Sequence, residues 1–210
     1  MTYAEIKIAA LKLMYATYNE LVAANIADYY EDSTINSYLF GMNESINRCF
    51  DRILEDKIAP EVIVELDDYT TTTDDDYLYT TMDLTQITDF YKLDRVIYTY
   101  KNFYDGNCEF LIEGDDLRLP YKENGTYKLV YTKTMPYIDD TITDQDTVDL
   151  PPALLRLIPY YIKGELFEED DANLAAASMN VFEARLMTIK KNKTQNQTKV
   201  ADVYGQGYYD

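Results

Sequence analysis

Leu150-Pro151-Pro152-Ala153-Leu154-Leu155-Arg156-Leu157-Ile158-Pro159-Tyr160-Tyr161-Ile162-Lys163-Gly164-Glu165-Leu166 places its apolar side chains at helical spacing. Leu154, Leu157, Ile158, Tyr161, Ile162 and Leu166 fall on one face. The paired prolines suit a first helical turn, where an amide donor has no partner to lose. Pro159 lies further in and is expected to kink the helix. Glu168-Glu169-Asp170-Asp171 then reads as a turn that caps a second helix, with its carboxylates at the positive end of that helix's dipole. Leu174, Ala177, Val181, Phe182, Leu186 and Ile189 continue at helical spacing, and Lys190, Lys191 and Lys193 sit at the far end. Residues 150–191 are therefore expected to form a helix pair.

A matching pair is expected over residues 1–59. Thr2 and Glu5 have capping-box spacing, so a helix should begin at Tyr3, with Ile6, Ala10, Leu13, Leu21 and Ala24 near one face. After a break around Ala27 to Tyr30, Glu31-Asp32-Ser33 offers a new N-cap. Ile35, Leu39, Met42, Ile46, Cys49, Phe50 and Ile53 follow at spacings of three and four until the approach to Pro60.

Between the pairs, residues 60–149 change character. Val62, Val64 and Leu66 read as a strand. Asp67 to Met82 is rich in Thr, Asp and Tyr and reads as a long loop or extended arm. Leu84, Ile87 and Phe90 suit one helical turn or a strand edge. Val96 to Tyr131 reads as an antiparallel meander, with turns at Asp105-Gly106-Asn107, Glu113 to Asp116 and Asn124-Gly125. Met135 to Asp149 reads as an acidic linker. Residues 192–210 read as an extended C-terminal arm in which Val200, Val203, Tyr204, Tyr208 and Tyr209 supply apolar side chains. Neither helix pair can bury its stripe alone. The economical fold is α+β: one bundle of N- and C-terminal helix pairs, with an antiparallel β region inserted and projecting.

Composition narrows function. The 210 residues contain no histidine, which removes the commonest general base and metal ligand. The two cysteines, Cys49 and Cys108, are expected to be buried free thiols. No phosphate-cradling glycine motif and no EF-hand spacing occur. No catalytic residue, cofactor or metal site is expected, and no membrane span. The formal charge of −19 sets the chain against nucleic acid and anionic lipid at long range. The 22 tyrosines suit interfaces as well as cores. The carboxylates concentrate at Asp67, Asp68, Asp74, Asp75 and Asp76, and at Asp139, Asp140, Asp144 and Asp146.

Tyr38-Leu39-Phe40-Gly41-Met42-Asn43-Glu44-Ser45-Ile46-Asn47-Arg48 resembles the second helix of head-to-tail connector (adaptor) proteins of tailed bacteriophages. The segment Asp149 to Leu166, the acidic turn Glu168 to Asp171 and the small residues Ala175-Ala176-Ala177 resemble the later helices of that family. The resemblance covers the two helix pairs and leaves the β region unmatched. It implies a structural virion protein: a ring of about twelve copies docked below the portal protein, with DNA passing through its channel. It also implies a C-terminal arm that grips the portal, a β region that meets the next tail component, and no enzymatic activity. On that reading the terminal apolar residues dock on the portal, and the two acidic stretches line the channel or its loops. Assembly in the host cytoplasm and a place at the portal vertex follow. The charge also fits an acidic inhibitor that mimics DNA, and a second alternative is another neck or tail-completion protein.

Overall fold

The computed structural model describes residues 1–15, 20–66, 70–74, 77–100, 103–121 and 125–205, with side chains except at 70–74, 77, 100, 103–105 and 194–205. The chain is of mixed helix and antiparallel sheet, in the α+β class. It divides into two compact units, residues 1–58 with 135–210, and residues 59–134. Residues 135–149 thus belong with the helices and not, as the sequence suggested, with the β region.

In the helical unit, α1 spans Tyr3–Met14 and begins with the expected capping box: Thr2 accepts from the Glu5 amide, and the Glu5 side chain accepts from the Thr2 amide. The helix is shorter than its apolar pattern. Tyr15 leaves it in extended conformation, and its ring packs edge-on against Phe167, with centroids 5.1 Å apart. A 3-10 turn, Ala23–Asn25, and the one-turn helix α2, Ile26–Tyr29, follow. Helix α3 spans Asn36–Glu55 and buries Leu39, Met42, Ile46, Cys49, Phe50 and Ile53, the face read from the sequence.

The C-terminal helices differ more. Pro159 does not kink one helix; it separates two, α4 (Pro152–Leu155) and α5 (Ile158–Leu166). Proline lacks the amide that an unbroken helix would need there, and it sits instead in the first turn of α5. Asp171 Oδ1 accepts from the amides of Asn173 and Leu174, both at 3.0 Å, and starts α6 (Ala172–Gly205) as expected. The expected extended arm is corrected over 192–205, where the backbone remains helical. Asn192 to Lys199 lacks apolar residues, yet Lys and Gln are good helix formers and no proline interrupts them. Gln206 to Asp210 lie outside the described residues.

Helix α5 packs against α1, α3 and α6. Its buried Ile158 and Ile162 meet a core that includes Ile6, Leu11, Phe50 and Phe182. At Gly164 the crossing with α6 is close: a Cβ would lie 2.9 Å from Met179 Cε and 3.3 Å from its backbone nitrogen. Lys163 Nζ donates to the Leu13 carbonyl at 2.5 Å, satisfying an orphan acceptor at the end of α1. Glu165 pairs with Arg48 at 2.5 Å and Glu183 with Arg52 at 3.3 Å, tying α5 and α6 to α3.

The β unit holds two four-stranded antiparallel sheets. β1 (Glu61–Glu65), β8 (Gly125–Lys133), β4 (Phe90–Tyr100) and β5 (Phe103–Cys108) form one, in that spatial order. β2 (Thr70–Asp74), β3 (Tyr77–Asp83), β7 (Asp116–Pro120) and β6 (Leu111–Glu113) form the other. Leu66, Leu93, Val96, Leu117, Leu119 and Leu129 contribute to one shared core. Two expectations are corrected. The threonine-rich stretch is a hairpin, with Thr70 opposite Thr81 and Asp74 opposite Tyr77, because β-branched threonine favours pleated strands over loops. The region after Val96 is not a meander either. β6 pairs with β7, which pairs in turn with β3, while β8 returns beside β4.

The glycines explain why the sequence misled here. Gly106 has φ +96° and sits where β5 slips against β4, so the Asp105-Gly106-Asn107 signal marks a bulge inside a strand. Gly114, with φ +63°, opens the two-residue loop between β6 and β7, a turn the sequence does place correctly. Gly125 is needed for a different reason. A Cβ there would lie 2.3 Å from the Tyr98 ring and 2.6 Å from the Thr99 carbonyl, so β8 starts by pressing its backbone on β4. Gly125→Ala is expected to destabilise the β unit by about 3 kcal/mol or more through overpacking, seen as early loss of tyrosine near-UV dichroism in urea.

Helix α3 ends in a Schellman motif: the Ile58 amide donates to the Ile53 carbonyl at 3.2 Å and the Lys57 amide to that of Leu54 at 2.9 Å. Lys57 adopts φ +57°, the left-handed position that glycine normally fills. Lys57→Gly is therefore expected to stabilise the helical unit by about 1 kcal/mol, raising its urea midpoint; an unchanged or lower midpoint would contradict the strain.

Candidate functional site

Of the two acidic stretches, residues 139–149 are described in full and form a built loop. Asp139 Oδ1 accepts from the Thr141 amide at 2.8 Å and from its hydroxyl at 2.6 Å. Asp146 Oδ2 accepts from the Thr143 amide at 2.6 Å and hydroxyl at 2.9 Å. The Thr141 hydroxyl and amide hold Asp139 below the usual carboxylate range, and the Thr143 amide and hydroxyl do the same for Asp146. Both carboxylates, with Asp140, are exposed. Each aspartate-x-threonine or threonine-x-x-aspartate pair is a local turn that competes with helix and strand, so the segment stays irregular.

The loop is fixed at both ends. Asn47 on α3 donates its amide to the Ile138 carbonyl at 2.9 Å and accepts from the Ile138 amide at 2.8 Å. Tyr137 donates to Asp51 at 2.6 Å. Further along, the Asp144 carbonyl accepts from the Ala4 amide at 2.7 Å and the Asp146 carbonyl from that of Tyr3 at 3.2 Å. Thr147 bridges to Thr2, and the Val148 amide donates to the Met1 carbonyl at 2.9 Å. The orphan amides of the first turn of α1 thus find their acceptors in the acidic loop. Tyr3 donates to the Pro136 carbonyl, and burial, then the negative charges of Asp146 and Asp139, push its hydroxyl pKa up to about 12.

Asp144 differs from its neighbours. It pairs with Lys7 Nζ at 2.5 Å; the lysine side chain is 1% exposed and the carboxylate 19%. Tyr30 accepts from the same ammonium at 2.8 Å. Burial lowers the Lys7 pKa although Asp144 opposes that shift. Burial also raises the Tyr30 pKa, with Asp144 reinforcing it. Sequence reading counted Asp144 with the acidic surface and passed over Lys7, Tyr30 and Asn47. A signal for Lys7 was present, since Tyr3, Ala4, Ala10 and Leu11 flank it at helical spacing.

Of the other acidic candidates, Asp74 closes β2, and Asp67, Asp68, Asp75 and Asp76 lie outside the described residues. Of the arm residues, positions 200, 203 and 204 fall within α6, and Tyr208 and Tyr209 lie outside the described residues. Both cysteines are buried free thiols, and burial pushes the Cys49 thiol pKa up. Among the described residues no group of three or more His, Cys, Asp or Glu could hold a metal ion, and no helix is long and apolar enough to cross a membrane. The β unit carries a cavity of about 450 Å³ lined chiefly by Leu84, Ile87, Phe90, Tyr91 and Ile112, with Lys92 and Asp115 as its charged groups. Neither a family model nor a curated protein matches the chain.

Removing one partner of a buried ion pair costs more than the pair is worth. Asp144→Ala should therefore destabilise the helical unit by about 3 kcal/mol in urea unfolding, and Lys7→Met in the same chain should recover part of that loss. The sign with pH is also set. Lys7 releases its proton in the folded state below the ordinary value of 10.5. Between its folded pKa and 10.5 the unfolded chain binds more protons, so this group makes stability rise with pH. The deficit of Asp144→Ala should shrink as pH approaches 10.5, and a deficit that grows there would exclude a buried unpaired ammonium.

Proposed function

We propose that this chain is a subunit of a head-to-tail connector ring of a tailed bacteriophage, docked on the portal protein and traversed by DNA. The observation that carries the reading is the meeting of both ends of the chain on α5, while residues 59–134 have a core of their own. That is the arrangement implied by the connector-like helices: paired rods from either end of the chain and an inserted β unit. In a closed ring each copy offers one face to a different face of the next, and paired rods form a wedge suited to such side-by-side contacts. Twelve copies would close the ring, with the β unit meeting a downstream tail protein. No catalytic group is required of any residue.

The acidic loop supports a place along the DNA path. Asp139 and Asp146 stay ionised well below neutral pH because threonine donors are built around them. Fixed carboxylates repel phosphate and leave no cation for it to bind, so DNA can move without being held. The last turns of α6 and the tyrosines beyond them support portal docking. Positions 200, 203 and 204 share one helical face, and aromatic anchors dominate the energy of protein interfaces. In this reading the arm is a helix over 192–205, which docks into a groove and does not add a strand.

Co-expression with a phage portal protein tests the reading. The full chain is expected to co-purify with portal rings, and a chain lacking residues 200–210 is expected to lose that association. Unchanged binding of the truncated chain would remove the docking role of the terminus. A full chain that never associates with portal or with virions would remove the connector reading itself.

A further inference from the structure

Helix α6 carries two separate stripes. Ala175, Phe182 and Leu186 are buried, and Phe182 packs edge-on against Tyr161 of α5 with ring centroids 5.1 Å apart. The other stripe is Leu174, Ala177, Val181 and Ala184, again at spacings of three and four, and all four are exposed. Leu174 is 47% exposed and Val181 37%. We propose that this second stripe is the contact face of a two-fold dimer, in which α6 of one copy pairs antiparallel with α6 of a second copy.

Charge identifies the occupant. A net charge of −19 opposes self-association over most of the surface. Helix α6 and its cap are close to balance: from Glu168 to Lys193 there are five carboxylates, Glu168, Glu169, Asp170, Asp171 and Glu183, against four cations, Arg185, Lys190, Lys191 and Lys193. The charges are also segregated, with four of the acids before the helix and three lysines about five turns later. A parallel partner would set like against like. An antiparallel copy sets the acidic cap of each helix against the lysines of the other, and opposes their dipoles favourably.

Shape selects the register. Centring the two-fold axis near Met179 places Val181 opposite Ala177 and Leu174 opposite Ala184, so each large side chain meets a small one. The same register brings the exposed Glu168 and Glu169 of one copy to the end of the helix that carries the exposed Lys191 of the other. Lys190 and Lys193 are held by their own chain, by Asp56 and by the Lys57 carbonyl, both at 3.0 Å, away from the stripe, which leaves Lys191 as the lysine that faces the second copy. A two-fold contact uses the same patch on both copies and closes on itself. The dimer is therefore a state of the free chain, independent of the connector reading, whose head-to-tail contacts differ from it.

Engineered cysteines test the geometry, since native Cys49 and Cys108 are both buried. Mixing Val181→Cys chains with Ala177→Cys chains under mild oxidation is expected to give a disulfide-linked dimer in high yield, with much less from either variant alone. Sedimentation velocity of the unmodified full chain at micromolar concentrations is expected to show monomer and dimer. Val181→Glu should abolish the dimer, with folding checked by circular dichroism. Lys191→Glu should weaken it about tenfold, and adding Glu168→Lys and Glu169→Lys to the same chain should restore it. A monomer at every concentration, equal cross-linking in the single-variant samples, or self-association indifferent to Val181→Glu would overturn the proposal.

Discussion

The buried ammonium of Lys163 on α5 donates to the last turn of α1, and its neighbour Glu165 holds Arg48 on α3. Between them, Gly164 lets α5 approach Met179 on α6 closely, where a Cβ would make tight contacts. Three consecutive residues therefore fix three helices drawn from both ends of the chain. Each contact is of a different kind: a charge-assisted bond to an orphan carbonyl, an ion pair and a close helix approach at a glycine. Apolar burial supplies most of the driving force, but these three contacts set where the helices lie. The acidic loop, the clamp around Asn47 and the course of α6 all depend on that placement.

The helices were legible wherever one face carried the apolar residues. Leu39 to Ile53 gave α3 with its buried face, and Thr2 with Glu5 gave the first residue of α1. They were illegible where a terminus was set by tertiary contact. Nothing local to Tyr15 says that its ring will leave the helix for Phe167. At the other end, a polar run was taken for an arm although helix propensity continued through it. In the β unit, strand existence was easier to read than pairing. The glycines mislead because one residue type answers three demands: a bulge at Gly106, a turn at Gly114 and a close approach at Gly125. Only the second is the turn signal that the sequence rules describe.

The acidic loop shows the same division between local and distant causes. Asp139 with Thr141, and Asp146 with Thr143, are local partnerships visible as residue types at short spacing. Asp144 belongs with Lys7, more than a hundred residues earlier, and no pattern in the loop distinguishes it from its neighbours. A stretch that looked like uniform negative surface is thus a rim of exposed charge around one part-buried ion pair. This gives the loop two jobs that can be separated: Asp139, Asp140 and Asp146 present charge, and Asp144 holds the loop down.

Because the first turn of α1 is capped by residues 144 to 148, that helix waits for a partner made far later. During synthesis, strand β8 completes the sheets as soon as residue 133 has left the ribosome, and that unit can then collapse around its own centre. Helix α1 lacks that option, since the acceptors of its first-turn amides and the carboxylate that pairs with Lys7 lie in residues 144–148. The unit of residues 59–134 is thus complete in the chain before α1 has its caps, and the two ends meet on α5 only after that.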